Sequence, residues 1–267
     1  MAGLKYLIVN ADDFGQSHGI NRGIIQAYEH GIVTSASLMV RWPAAAEAAA
    51  YSREHVALGL GIHFDFGEWS YRDETWVPSY QVLERVDSGE VSNEVASQLA
   101  AFCRLVGKDP THIDSHQHMH LREPFRSVLS DTASNLGVPL RSCNPAVRYC
   151  GDFYGQTREG SPLSERITVD SLIKILADLP PGITELACHP GQTIDFETMY
   201  RFERIQEAST LCHPMVRTAI QTLKITLCSF DDAVHLVDPR MFSGGAAIET
   251  DSTEGLGHIE NGNTGIG

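Results

Sequence analysis

Four stretches of this sequence end in side chains able to hold a cation or move a proton. Asn10, Asp12 and Asp13 follow the apolar run at 6–9. His63 and Asp65 lie at the end of the run 58–64. Asp114, His116, His118 and His120 follow a strand-like start at 111, and His189 follows 183–188. Two adjacent carboxylates repel unless a proton or a cation lies between them. A cation bound by one leaves the other free to act as a base. The plainer alternative is a capped turn, with Asp13 capping a helix that starts after Gly15.

The segment Thr111-His112-Ile113-Asp114-Ser115-His116-Gln117-His118-Met119-His120 is more specific. Extended, it would put every even position on one face. At ~3.3 Å per residue the outermost histidines would then stand more than ~20 Å apart, so only one or two can reach one ion. The alternative is a solvated histidine-rich loop. One aspartate with two histidines suits Zn²⁺, Mg²⁺, Mn²⁺ or Co²⁺, and three protein ligands leave room for water and substrate. Such an ion lowers the pKa of bound water and polarises an amide carbonyl. An imidazole opposite the base would protonate a departing amine.

These residues need a scaffold, and strand-like and helix-like segments alternate along the chain. Strands are expected at 6–9, 32–40, 58–64, 111–116, 138–143, 183–188 and 225–230. Helices are expected at 20–30, after Pro43, from Val91 to a stop at Gly107, at 124–136, at 169–179 capped by Thr168, and at 213–223. Residues 68–90 and 144–166 read as irregular. About seven βα repeats predict an α/β fold with parallel strands closing towards a distorted (β/α) barrel, whose sites gather beyond the strand C-termini. Residues 1–242 read as one domain. Residues 243–267 read as a flexible Gly-rich tail.

Composition narrows the function. A formal net charge of −14 over 267 residues argues against nucleic-acid or anionic-membrane binding. No apolar stretch approaches the ~20 residues of a membrane span. The start of the chain lacks a secretory pattern. The six cysteines include no C-x-x-C pair and read as buried thiols in a reducing compartment. A cytoplasmic location is expected, and a homodimer is a reasonable assembly for a soluble barrel enzyme.

The sequence resembles the YdjC-like carbohydrate deacetylases, which include chito-oligosaccharide deacetylases. The matching pieces are Leu7-Ile8-Val9-Asn10-Ala11-Asp12-Asp13-Phe14-Gly15, Gly31-Ile32-Val33-Thr34-Ser35, Gly61-Ile62-His63, the histidine-rich segment above, and Cys188-His189-Pro190. The resemblance implies a distorted barrel of βα units and one divalent metal ion, Mg²⁺ or Zn²⁺ with Mn²⁺ or Co²⁺ as alternatives. It implies Asp13, His63 and His116 as ligands and Asp12 as general base. It gives His189 as the substrate-side imidazole and candidate acid, with His118 and His120 orienting ligands or touching substrate. Classical polysaccharide deacetylases instead carry an H-x-x-x-H pair, a spacing that His112/His116 and His116/His120 both satisfy. The closer family takes its second histidine, His63, from another strand.

The implied activity is removal of an N-acetyl group from a small acetylated sugar or oligosaccharide, with release of acetate. Trp69, Tyr71, Trp76 and Tyr80 in the first irregular segment could stack on sugar rings or simply pack the loop. Two rivals stand beside this expectation. One is another metal hydrolase, such as a phosphoesterase or amidohydrolase-like enzyme, which should show a Lys/Arg cluster at its site. The other is an inactive sugar-binding relative, which would not need Asp12 beside Asp13.

Overall fold

The computed structural model describes residues 3–193 and 195–236. The expected tail at 243–267 lies outside the described residues. The chain begins with the ten-residue strand β1 (Lys5–Phe14), buried from its third residue onward. There follow α1 (His18–Glu29), β2 (Ser35–Leu38), α2 (Ala45–Glu54), β3 (Gly59–Phe64), β4 (Gly67–Arg72) and β5 (Thr75–Gln81). Next come α3 (Ser88–Val106), β6 (Ile113–Ser115), α4 (Phe125–Leu136), β7 (Val147–Cys150), α5 (Val169–Asp178) and β8 (Gly182–Cys188). The described chain ends with α6 (Phe202–Leu211), α7 (Pro214–Thr222), β9 (Ile225–Leu227) and α8 (Phe230–Val234).

Seven strands form one sheet in the order β6-β3-β2-β1-β8-β7, with β9 paired to the start of β1. All of its pairings are parallel. The expected distorted (β/α) barrel is thus an open half-barrel, with β6 and β7 as its edges. Strands covered on both faces need no polar alternation, which is why the first half of β1 reads as a continuous apolar run, while β8 buries Thr184 and Glu185 within it. The helices pack by their predicted stripes: α1 buries Ile20, Ile24 and Ala27. Its N-cap Ser17 accepts from the Ile20 N–H. On α3, Asp87 caps the start, and Gly107 ends the helix at φ 84°, a left-handed value that favours glycine. Thr168 caps α5 as expected.

The structure corrects four local expectations. Residues 68–90 hold the antiparallel hairpin β4–β5 rather than an irregular loop. Its two turn residues, Asp73 and Glu74, both take positive φ (49° and 61°). That is a type I′ hairpin without the Asn-Gly or Asp-Gly that usually announces one. The strand expected at 138–143 shrinks to one bridge beside β6, Ile113 with Leu140, and β7 forms at the other edge of the sheet, against β8, inside a segment expected to be irregular. Helix α6 was not anticipated, because its buried face carries Glu203, Arg204 and Glu207, so the apolar periodicity is absent. Finally, β6 stops at Ser115, and His116–Leu121 form a 3-10 turn. The even-numbered side chains from 112 to 120 therefore do not share one face.

The helical layer should tolerate truncation poorly. Phe102 of α3 is fully buried in the main hydrophobic core. Phe102→Ala is expected to cost about 3–5 kcal/mol, read as a lower urea midpoint with an unchanged slope.

Candidate active site

The carboxylates and imidazoles gather at the C-terminal ends of β1, β3, β6 and β8, around a cavity of about 510 Å³. Neighbouring residues on a regular strand point to opposite faces. Asp12 and Asp13 nonetheless both line the cavity. The β1–β2 register shifts between Ala11 and Phe14, and Asp13 takes φ 67°. This irregularity turns Asp13 back towards its neighbour's side. The parallel register sets His63 of β3 directly beside Asp114 of β6.

Asp13 Oδ1 lies 3.1 Å from His116 Nδ1 and 3.3 Å from His63 Nε2. One ligand atom from each of Asp13, His63 and His116 falls within 4.8 Å of the others. The Nε2 atoms of His63 and His116 are buried without a hydrogen-bond partner. His63 Nε2 lies on the Asp13 side, whereas the unpartnered His116 nitrogen faces Glu68 and His116 Nδ1 faces Asp13. One carboxylate and two imidazoles at this spacing fit a divalent cation. On its far side His63 Nδ1 meets Asp114 Oδ1 at 2.8 Å, the carboxylate–histidine arrangement that orients a metal-binding imidazole. Asp12, His63 and Asp114 form a second cluster of suitable spacing. Its carboxylates are already compensated by a guanidinium.

That guanidinium is Arg141, whose side chain is 1% exposed. Its Nη1 and Nη2 donate to both oxygens of Asp12 at 2.6 and 2.7 Å. Nη2 also lies 2.7 Å from Asp114 Oδ2, and Nε donates to Glu185 Oε1 at 2.7 Å. Asn10 and Ser37 add hydrogen bonds: Asn10 Nδ2 donates to Asp12 Oδ1 at 2.9 Å, and Ser37 Oγ donates to Asp114 Oδ2 at 2.9 Å. A second buried cation, Arg204 of α6, donates to Asp13 Oδ2 at 2.7 Å. Asp13 thus turns one oxygen to arginine and the other to the histidines.

These pairings set the charges. Burial would push Asp12 and Asp13 up, but Arg141 with His63 for Asp12, and Arg204 with His116 and His63 for Asp13, together outweigh it, and both carboxyls sit below their ordinary range. Burial disfavours a charged His63, yet Asp114 and Asp13 outweigh it and hold the imidazole well above its usual value. His116 is raised in the same sense by Asp13. Burial lowers His189 to about 4 despite Asp12 and Asp13, and lowers His118 to about 4 with Arg141 acting in the same direction. Burial raises Glu185 to about 7 despite Arg141.

The remaining expected residues fall at different places. His189 Nε2 lies 3.8 Å from Asp12 Oδ2, and its ring stands edge-on to Tyr154 and Tyr200. Its backbone N–H donates to Glu207, which also accepts from the Tyr200 hydroxyl. His118 lines the cavity, with Nε2 3.3 Å from the Tyr149 hydroxyl. His120 is fully buried and bonds through Nδ1 to Ser115 Oγ, behind the cavity wall. Buried His112 stacks on Phe230, away from the cavity. Trp69 lines the cavity, together with Trp76. Tyr71 packs on Trp76 and is not part of the lining. Asp65 faces the hairpin, accepting from Tyr80 Oη and Trp42 Nε1.

Sequence reasoning missed Arg141 and Arg204. Arg141 carried one usable signal, a lone cation inside an apolar-flanked strand-like segment of an acidic chain. Arg204 carried none, since the helix holding it was itself unread. Glu68 was also missed; it lines the cavity 3.9 Å from His116 Nε2. The lining further includes Arg122 and Arg158, cations that none of the motifs contained.

A family model described as YdjC-like protein matches residues 6–222. The chain is 34% identical over 261 residues to a carbohydrate deacetylase of Geobacillus stearothermophilus, spanning 87% of this chain and 99% of that one. It is 30% identical over 268 residues to a chitooligosaccharide deacetylase of Serratia marcescens, spanning 85% and 99%. A solved structure from Enterococcus faecalis, provisionally named a cellobiose-phosphate cleavage protein, superposes with TM-score 0.68 at 25% identity, covering 86% and 98%. The Xyl-CE4 domain of a multidomain xylanase shares the fold at TM-score 0.51 and 14% identity, covering 88% and 93%.

Two measurements follow for the cation cluster. Asp114→Asn removes the charge behind His63 and is expected to weaken Zn²⁺ binding roughly 10–100-fold, measured by chelator competition. A cation must also displace the proton that the carboxylates favour on His63. Zn²⁺ affinity should therefore rise with pH, with protons released on binding, measured by calorimetry in buffers of different ionisation enthalpy.

Proposed function

The chain belongs to the YdjC-like family, and from that premise we propose that it is a metal-dependent carbohydrate N-deacetylase acting on a small acetylated sugar or chito-oligosaccharide. One observation carries this reading: the Asp13–His63–His116 cluster stands beside a second, independently compensated carboxylate, Asp12, in an aromatic-walled cavity. A binding protein needs no such second carboxylate. Asp13, His63 and His116 would hold the divalent cation, Mg²⁺ or Zn²⁺. When bound, the cation supplies polarisation of the amide carbonyl and a lower pKa for water.

This chain's own residues do the rest. Arg141 holds Asp12 ionised and fixes its orientation. Asp12 accepts the proton of the attacking water. His189 is neutral near pH 7, so it becomes an acid only after gaining a proton. The carboxylate that gains one in the attack, Asp12, lies 3.8 Å from His189 Nε2. His189 then delivers a proton to the departing sugar nitrogen. Trp69 and Trp76 offer apolar faces to the sugar, and Tyr149, Tyr154 and His118 also line the cavity. The six free thiols fit a cytoplasmic setting.

The experiment is acetate release from N,N′-diacetylchitobiose by metal-stripped protein, with Mg²⁺, Mn²⁺, Co²⁺ and Zn²⁺ restored singly. Asp12→Asn is expected to lower kcat by at least ~10²-fold while Zn²⁺ still binds. Retained turnover would remove Asp12 from the base role. His189→Ala should cost ~10²–10⁴-fold on the amide and much less on an O-acetyl ester, whose leaving group needs less help. Equal losses on both substrates would remove His189 from the acid role.

A further inference from the structure

The reaction scheme gives no task to Gln117, a cavity-lining residue of the histidine-rich segment. Gln117 meets the backbone of Trp69 twice. Its Oε1 accepts from the Trp69 N–H at 3.0 Å, and its Nε2 donates to the Trp69 carbonyl at 2.8 Å. This is the exchange one strand residue makes with another, supplied here by a side chain. Trp69 lies on β4, whose other edge is paired to β5. Two residues on, the Tyr71 N–H meets Met199 Sδ at 3.2 Å. Side chains from the site thus occupy successive donors of an edge strand.

The conformation of Gln117 points the same way. Gln117 and His118 sit at φ 50° and 53°, a left-handed pair disfavoured for residues with a Cβ. Such a pair persists where surrounding contacts over-determine it. Gln117 separates His116 from His118, and all three line the cavity.

We propose that Gln117 is a positioning residue for sugar recognition: its amide completes the edge of β4 and ties the Trp69 wall to the His116–His118 turn. The aromatic wall and the imidazole facing Asp13 are thereby held at one spacing. The sugar as ligand rests on the deacetylase reading; the tie itself does not.

The test has two arms. In native-state hydrogen exchange, Gln117→Ala is expected to speed the Trp69 amide at least about tenfold, the loss of roughly one net hydrogen bond. Amides of β1 keep their rates. Gln117→Glu keeps the acceptor and loses the donor, so it should fall between; it carries the same comparison should Gln117→Ala fail to fold. With N,N′-diacetylchitobiose as probe, Gln117→Ala is expected to raise KM about tenfold with a smaller fall in kcat. In a Trp69→Ala background it should add nothing to KM. Unchanged exchange at Trp69 overturns the tie, and a KM effect undiminished by Trp69→Ala overturns its role in the wall. If wild-type protein does not turn over this sugar, the substrate reading falls and the exchange arm still decides the tie.

Discussion

The whole site depends on compensating carboxylates that the fold drives out of water. Asp12, Asp13, Asp114 and Glu185 are all buried at one end of the sheet. Unpaired, that much negative charge could not stay ionised in a low-dielectric interior. Arg141 and Arg204 divide the work. Arg141 binds Asp12, Asp114 and Glu185 together, and Arg204 takes a single oxygen of Asp13. The division leaves the other Asp13 oxygen facing two imidazoles, and it leaves Asp12 ionised against Arg141. Glu185, one carboxylate more than Arg141 can fully offset, is pushed towards neutrality.

Backbone geometry serves the same end. Among the described residues, seven non-glycine residues have positive φ. Asp13, Gln117 and His118 line the cavity, and Ser142 follows Arg141 directly. Strain of this kind persists where packing and hydrogen bonds outweigh it. Here it re-aims side chains that a regular strand would send to opposite faces. The open half-barrel supplies the rest: a parallel sheet brings four strand ends together, and its register sets His63 against Asp114 without any turn at all.

Chain order shaped what could be read in advance. Asp12, Asp13, His63, His116 and His189 stand where apolar runs stop, and the structure places all five around one cavity. The helices α1, α3, α4, α5 and α7 were legible because their buried faces are mostly apolar, with Ser17, Asp87 and Thr168 capping α1, α3 and α5 and Gly107 and Gly137 ending α3 and α4. Helix α6 and the hairpin β4–β5 were not. Burial of α6 is polar, and the hairpin turn uses Asp73-Glu74, so neither shows the usual local signal.

The sequence by itself determined the element pattern and the chemistry-bearing residues at the strand ends, because apolar periodicity and residue type are local properties. Tertiary structure decided which of those residues meet. It stopped β6 at Ser115, and the turn that follows brings His116 and His118 to the cavity while His120 stays bonded to Ser115. It carried Arg141 to Asp12 and Arg204 to Asp13 across 129 and 191 residues of chain. Ion pairs of that kind are chosen by where burial would otherwise leave a charge alone, and no local pattern in the chain records it.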